Sequence, residues 1–377
     1  MVPRGRSVAR VRALLWQGLA IALVCGAGAW LVSNTLDNLA RRGIAAGFGF
    51  LDTSAGFGIT TSLIDYSEES SFARAFLVGL LNTLLVSAVS IVVATVIGFT
   101  IGIGRLSSNW LVARLSGAYV ELMRNIPLLL QIFFWYFAVL RTLPSPRSGI
   151  ELGGLVFLNN RGLYIPWIEQ GMGGAWYLAA GLCLAAVIFG KQLPSNRFRG
   201  RARQAGAVGF FGLVVIAVIS VQWNVPQFQG FNFTGGVVLT PELLALAVAL
   251  STYTAAFIAE VVRAGVQSVP RGQVEAAQAL GMRRRDIMRS VILPQALRLI
   301  IPPLTNQYLN LTKNSSLAAA IAYPDLVSVF AGTVLNITGQ AVEVIAITMA
   351  VYLVISLVIA GGMNVYNSAV ALKGGGG

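Results

Sequence analysis

The sequence predicts an all-α, polytopic membrane protein with about eight transmembrane helices, and three observations lead there. The 377 residues are 56% hydrophobic and only 11% charged, with a mean hydropathy of +0.74. A soluble domain carries about 25% charged residues, so this composition belongs in a bilayer. Apolar windows that cross, or nearly cross, a roughly 30 Å hydrocarbon core recur at about 14–32, 76–103, 118–140, 176–190, 207–222, 241–262, 297–330 and 341–362. The basic residues cluster between these windows, as topology signals do.

Taken in order, the first window follows Arg4, Arg6, Arg10 and Arg12. Its apolar run exceeds the roughly 7–15 residues of a cleaved signal peptide, so a retained anchor is expected. The fourth and fifth windows are short and are expected to tilt or to lie partly at the interface. In the seventh, Pro302–Pro303 and the later Pro324 suggest a kinked or broken helix with backbone groups freed toward a cavity. Two loops, 33–75 and 141–175, are rich in Gly, Asn and aromatics such as Phe48, Phe50, Phe57, Tyr66, Phe157, Tyr164 and Trp167. They are expected along the interface or over the helix bundle, with alternation too weak to define a separate domain. No internal repeat is visible, which weighs against the inverted-repeat secondary transporters. The run Gly374–Gly377 reads as a linker.

Charge sets the expected orientation. Arg4 to Arg12, Arg105, Arg114, Arg124, the run Lys191, Arg197, Arg199, Arg201 and Arg203, and the arginines of 263–298 fall on one side of eight alternating crossings. Arg41, Arg42, Arg74, Arg141, Arg147 and Arg161, mixed with acids, fall on the other. The positive-inside rule makes the first set cytoplasmic, with both termini. The net charge of +13 therefore reads as topology, and no nucleic-acid partner is expected. There is no histidine, and Cys25 and Cys183 sit inside apolar runs. A His/Cys metal site and a disulfide framework are excluded. The three lysines, Lys191, Lys313 and Lys373, follow no phosphate-binding loop, so no P-loop nucleotide site exists. With no G-x-S-x-G elbow and no paired carboxylates, no catalytic residue is assigned.

The stretch Glu275–Pro294, EAAQALGMRRRDIMRSVILP, is a charged, helix-forming insert between apolar segments. A first helix is expected with Ser268 as N-cap, Pro270 in its first turn, and Val274, Ala277 and Leu280 on one face. Gly281 suits the C′ position, where glycine turns left-handed at no steric cost. A second segment restarts near Arg283, and Pro294 interrupts or opens the next helix. An amphipathic helix resting on lipid headgroups is the alternative.

Polar residues inside spans mark three further places. In Glu121–Pro127, charges precede a proline, as in a gate or pivot at the membrane face or as in interfacial anchoring. In Ser251–Thr254, followed by Glu260 and Arg263, hydroxyls line a polar path or join helices. The run Asn306–Ser316 is the densest, with Lys313 among amides and hydroxyls, and reads as a translocation path or a structural salt bridge.

These residues resemble the inner-membrane permease subunits of bacterial ABC importers, whose loop reads E-A-A, three residues, G, nine residues, I-x-L-P. Glu275–Ala276–Ala277, Gly281 and Leu293–Pro294 match at that spacing, with Val291 in place of isoleucine. The flanks YTAAFIAEVVRAGVQSVPRGQVEAAQALGM and LPQALRLIIPPLTNQYLNLTKNSSL, and Asn125–Gln131, are similar to the polar amino-acid branch. The likeness covers roughly 76–140 and 241–366. An added first span and the insert 141–240 look like the larger permease subunits of general L-amino-acid importers, of the glutamate/glutamine/aspartate/asparagine type.

The resemblance implies a type I importer permease core with a cytoplasmic coupling helix. Residues 1–75 then hold the first span and outer loop, 76–140 and 241–366 the two parts of the core with the loop 263–294, 141–240 two added spans, and 367–377 a tail. It implies that Glu275, Ala276, Ala277, Gly281, Arg284 and Asp286 sit at the contact with a separate ATPase. The expected partners are an ATPase dimer that binds ATP and Mg, a second homologous permease subunit, a periplasmic amino-acid-binding protein and membrane lipid, in the bacterial inner membrane. This chain itself then carries no cofactor. Asn310, Lys313, Asn314 and Ser316, with Gln131 and Tyr253 as outliers, are the candidates for the substrate path, Lys313 suiting an α-carboxylate. A stand-alone secondary amino-acid transporter built around Lys313 is the competing reading. A membrane-bound enzyme lacks any nucleophile–base set.

Overall fold

The structure, a computed structural model, describes residues 5–41, 47–168, 205–206, 208–212 and 223–370. Contacts divide it into two units, residues 1–120 with 254–377, and residues 121–253. The expected spans at 176–190 and 207–222 fall outside, or almost wholly outside, the described residues. Five described helices are long and apolar enough to cross a membrane, or six if one bent pair counts as a span.

In the first unit, helix α1 (Gly5–Arg41) contains the first window, Leu14–Thr35, and no part of that window is buried. Helix α2 (Phe72–Gly104) begins where the Ser71 hydroxyl accepts the Arg74 amide, an N-cap that satisfies one orphan donor. Residues 47–71 pack over the helix bundle rather than lying free. Phe50 meets Phe72 and Phe330, Phe57 meets Tyr66 and Phe72, and Phe76 meets Phe330 edge-on at 5.2 Å. Such tilted ring pairs add about 0.5–1.5 kcal/mol each beyond area burial. The Gly47 amide also donates to Glu343 Oε1 at 2.7 Å.

The second half of this unit carries the C-terminal part of α5 (Pro241–Gln267), then α6 (Arg271–Ala279) and α7 (Arg284–Ile287). A π turn (Met288–Ile292) leads without a break into α8 (Leu293–Asn314), with Pro294 in its first turn. The kink expected at Pro302–Pro303 is not a break. Both rings lie on the exposed face of α8, where they displace no neighbour, and α8 continues to Asn314. The helix changes character afterwards, tightening to a 3-10 segment (Ser315–Ile321) that ends at Ala322 in the left-handed conformation, φ 57°. The chain turns there into a π segment (Val327–Val334), α9 (Leu335–Thr338) and α10 (Ala341–Val370). Asp325 caps the π segment by accepting the Ser328 amide at 2.8 Å. Asn82 of α2 ties two loops together, its Nδ2 donating to the carbonyls of Thr61 and Pro324.

In the second unit the window expected as one span at 118–140 is two helices. α3 (Trp110–Asn125) ends before Pro127, and α4 (Leu128–Phe133), extended by a π segment (Phe134–Leu140), leaves at 103°. Proline disfavours helical geometry at the preceding residue, so the chain breaks at Ile126–Pro127. The Gln131 side chain stitches the break, donating to the freed carbonyls of Met123 and Ile126 at 2.9 and 3.0 Å.

The insert departs from the all-helical expectation. Strands β1 (Ile150–Leu152), β2 (Val156–Asn159), β3 (Gly162–Ile165) and β8 (Val237–Leu239) form an antiparallel sheet in that order. Strands β4 (Trp167–Ile168) with β5 (Trp223–Asn224), and β6 (Gln227–Gln229) with β7 (Asn232–Thr234), form two separate two-stranded sheets. Phe157 and Tyr164 stack on Phe233 at 4.6 and 4.8 Å, forming a small aromatic core. Gly162, at φ +133°, lets β8 approach, since a Cβ there would lie 2.3 Å from the Leu239 carbonyl oxygen. Strands of two to four residues carry too little alternation to be read from sequence.

Candidate functional site

The loop joining α5 to α8 is a helix–glycine–helix elbow. Ser268 does not cap α6; its hydroxyl donates backward to the Gly265 carbonyl at 2.8 Å, and Pro270 occupies the N-cap position with no side-chain bond. The C-terminus closes more fully. Gly281 is left-handed at φ +72°, its amide donates to Gln278 O at 2.9 Å, and the Met282 amide donates to Ala277 O at 3.2 Å. That pair of bonds is a Schellman closure, which fixes the angle at which the chain leaves α6. Arg283, extended, then starts α7, whose first-turn Asp286 complements the helix dipole.

The faces of the elbow differ from the expected ones. Ala277 is buried, as is Ile287 of α7, so of the six residues expected to face a partner Ala277 is turned toward its own chain. Leu280, expected on the same face as Ala277, is 80% exposed. The Schellman turn has ended the helix at that point, and the side chain swings out. Glu275, Ala276, Gly281, Arg284 and Asp286 are all exposed. The elbow's most exposed large apolar side chain is therefore Leu280, well ahead of Met288 at 44% and Leu293 at 40%, and it sits beside a glycine and within a rim of charge. Burying a leucine contributes about 1.5–3 kcal/mol, and full exposure of one at a rigid tip leaves that energy available to a partner.

The polar run in α8 divides by face. Leu311, Thr312 and Ser315 are buried, whereas Asn310 and Lys313 are exposed and Asn314 and Ser316 half-buried. Asn310, Lys313 and Asn314 share one face by their spacing of three and four. The Ser316 hydroxyl donates to the Lys313 carbonyl at 2.7 Å. Gln131 and Tyr253 belong to the second unit. Gln131 is spent on the α3–α4 break, as its two bonds to main-chain carbonyls require. Around Tyr253, Ser251 and Thr254 are buried and the Thr252 hydroxyl bonds back to Val248 at 2.8 Å, a use internal to the helix. Glu260 and Arg263 form an ion network with Arg105 instead of continuing a hydroxyl path. Sequence reasoning had counted Arg105 only as a topology charge. Among the described residues no cluster of His, Cys, Asp and Glu could hold a metal ion.

Comparison with known proteins shows the family. Residues 94–370 match the family described as binding-protein-dependent transport system inner membrane component. The chain is 56% identical to the putative amino-acid ABC transporter permease protein YhdX of Escherichia coli, over 96% of this chain and 95% of that protein. It is 48% identical to the general L-amino acid transport system permease protein AapQ of Rhizobium johnstonii, over 96% and 93%. It is 40% identical to the glutamate/glutamine/aspartate/asparagine transport system permease protein BztB of Rhodobacter capsulatus, over 97% and 95%. A family match over most of the chain, and relatives matched along nearly their whole length, lead to one conclusion: the chain belongs to the inner-membrane components of binding-protein-dependent transport systems.

Proposed function

We propose that this chain is a permease subunit of an ATP-driven importer of polar L-amino acids, powered through the elbow at 268–294. The exposed Leu280 at the rigid tip of that elbow carries the reading, because an apolar knob held in a charged rim is the form of a docking contact. The names of the three relatives support the substrate class. In this reading Glu275, Ala276, Gly281, Arg284 and Asp286 surround Leu280 at the ATPase contact, while Ala277 anchors α6 from behind. ATP and Mg are bound by the ATPase dimer, which this chain meets together with a second permease subunit and a periplasmic binding protein. Closure of the ATPase pushes the elbow, and the elbow tilts the spans. The chain performs no chemistry of its own, and both termini face the cytoplasm with the elbow.

Gly281→Asp and Leu280→Asp test the contact. A Cβ at Gly281 meets nothing within 4 Å, but a side chain at φ +72° is strained, so Leu280→Asp, which leaves the turn intact, separates a docking loss from a folding loss. Both variants are expected to lose the ATPase on co-purification while remaining in the membrane; undiminished binding and transport would remove the coupling role. For the substrate path, the unpacked face of Asn310, Lys313 and Asn314 supports the assignment, with Ser316 beside it. Lys313→Ala is expected to lower transport and substrate-stimulated ATP hydrolysis, and unchanged values for both would withdraw Lys313.

A further inference from the structure

Helix α2 is far from the elbow in sequence, yet the structure fastens it to α5 immediately before the elbow begins. Gly98 and Gly102 form a G-x-x-x-G stripe on α2. A Cβ on Gly98 would lie 2.6 Å from the Ile258 side chain, and one on Gly102 would lie 2.8 Å from both the Ala259 carbonyl oxygen and Val262. On α5 the facing residues include Ala255 and Ala259, also four apart and both fully buried. Two small-residue stripes in register bring backbones into direct contact, the closest packing that apolar helices achieve in a membrane.

The apolar interlock is closed at one end by charge. Arg105, the C-cap of α2, pairs through Nη1 with Glu260 Oε2, and Arg263 pairs through Nη2 with Glu260 Oε1. Arg263 also reaches Gln267, the last residue of α5, so the network ends where the chain departs for the elbow. Arg105 and Glu260 are only 20% and 28% exposed, so their attraction is less screened than that of a surface pair. About two turns beyond Ile258 along α5, Gly265 abuts Ile300 of α8, where a Cβ would lie 2.4 Å away. Helix α8 in turn meets α2, as Thr95 and Tyr308 share a 2.8 Å hydrogen bond. Both arms of the elbow are thus rooted in a wedge of α5 and α8 to which α2 is clasped.

We infer that α2, α5 and α8 move as one lever, and that Arg105, Glu260 and Arg263 are positioning residues that carry displacement of the elbow into α2. The inference rests on the reading of 268–294 as the docking element. It adds a route by which a helix with no covalent tie to the elbow follows it. The glycine stripe sets how closely the helices lie, and the ion network prevents them from sliding at the driven end.

The test uses the whole complex in liposomes, with Cys25→Ser and Cys183→Ser as background. Glu260→Gln is expected to keep the ATPase bound yet lower the substrate moved per ATP hydrolysed by about fivefold or more, the scale of a typical coupling between sites. Arg105→Cys with Glu260→Cys is expected to show the same loss, and a short bis-methanethiosulfonate bridge between the two is expected to restore the ratio. Recovery on cross-linking belongs to a rigid lever, because a merely misfolded pair would not regain coupling. A bridge that leaves the loss or stops transport, or an unchanged ratio in Glu260→Gln, would overturn the lever. Loss of the ATPase in Glu260→Gln would put that residue in docking and overturn it equally. The elbow reading fails separately, through ATPase retention by Gly281→Asp.

Discussion

At the scale of single residues, conformation decided more than residue type. Leu280 and Ala277 are both apolar and were expected on one helical face, but the Schellman closure at Gly281 turns one outward and leaves the other packed. A burial of about 1.5–3 kcal/mol at Leu280 corresponds to roughly ten- to a hundredfold in affinity, enough for one side chain to dominate a docking contact. Asp325 is a second case: it is fully buried in the turn that packs on Asn82 and Thr83 of α2, and its Oδ1 is committed to accepting the Ser328 amide at 2.8 Å.

At the scale of elements, legibility followed period and length. Spans at 14–32, 76–103, 241–262 and 341–362 were readable because their apolar runs are long enough to match a hydrocarbon core, and each contains or overlaps a described helix. In the window 118–140 Pro127 is compatible both with a helix start and with a break; the structure holds two helices bent by 103° there, and Gln131 satisfies the freed carbonyls. The strands of 150–168 and 223–239 were invisible because each runs only two to four residues, and two of the pairings, as Tyr164 with Val238, reach across the insert. The elbow was legible as helix–Gly–helix, but which side faced outward depended on turn geometry that spacing does not encode. The α2–α5 crossing offers a matched test of how far glycine spacing carries function. Gly102→Ala puts a methyl 2.8 Å from a carbonyl oxygen and should destabilise by about 1–3 kcal/mol. Gly117→Ala in α3 meets nothing within 4 Å and should be neutral or stabilising by about 0.5–1 kcal/mol. Thermal unfolding of the two purified variants is the check, and equal losses would mean that the crossing is looser than drawn.

At the scale of the whole molecule, the chain divides its labour between what it carries and what it lacks. Its apolar helices supply the spans, the polar face at Asn310–Asn314 supplies a candidate path, and the elbow supplies a handle. No phosphate-binding loop appears anywhere in the sequence, and in the proposed reading energy arrives through that handle. The competing account, a self-sufficient transporter driven by an ion gradient, needs neither the exposed Leu280 nor the fixed turn at Gly281. Uptake of radiolabelled polar amino acids into liposomes separates the two. Vesicles holding the complete complex should accumulate substrate only with ATP on the elbow side, and Leu280→Asp should abolish that uptake. Equal accumulation by vesicles that hold this chain alone, driven by an imposed ion gradient and indifferent to Leu280→Asp, would contradict the account.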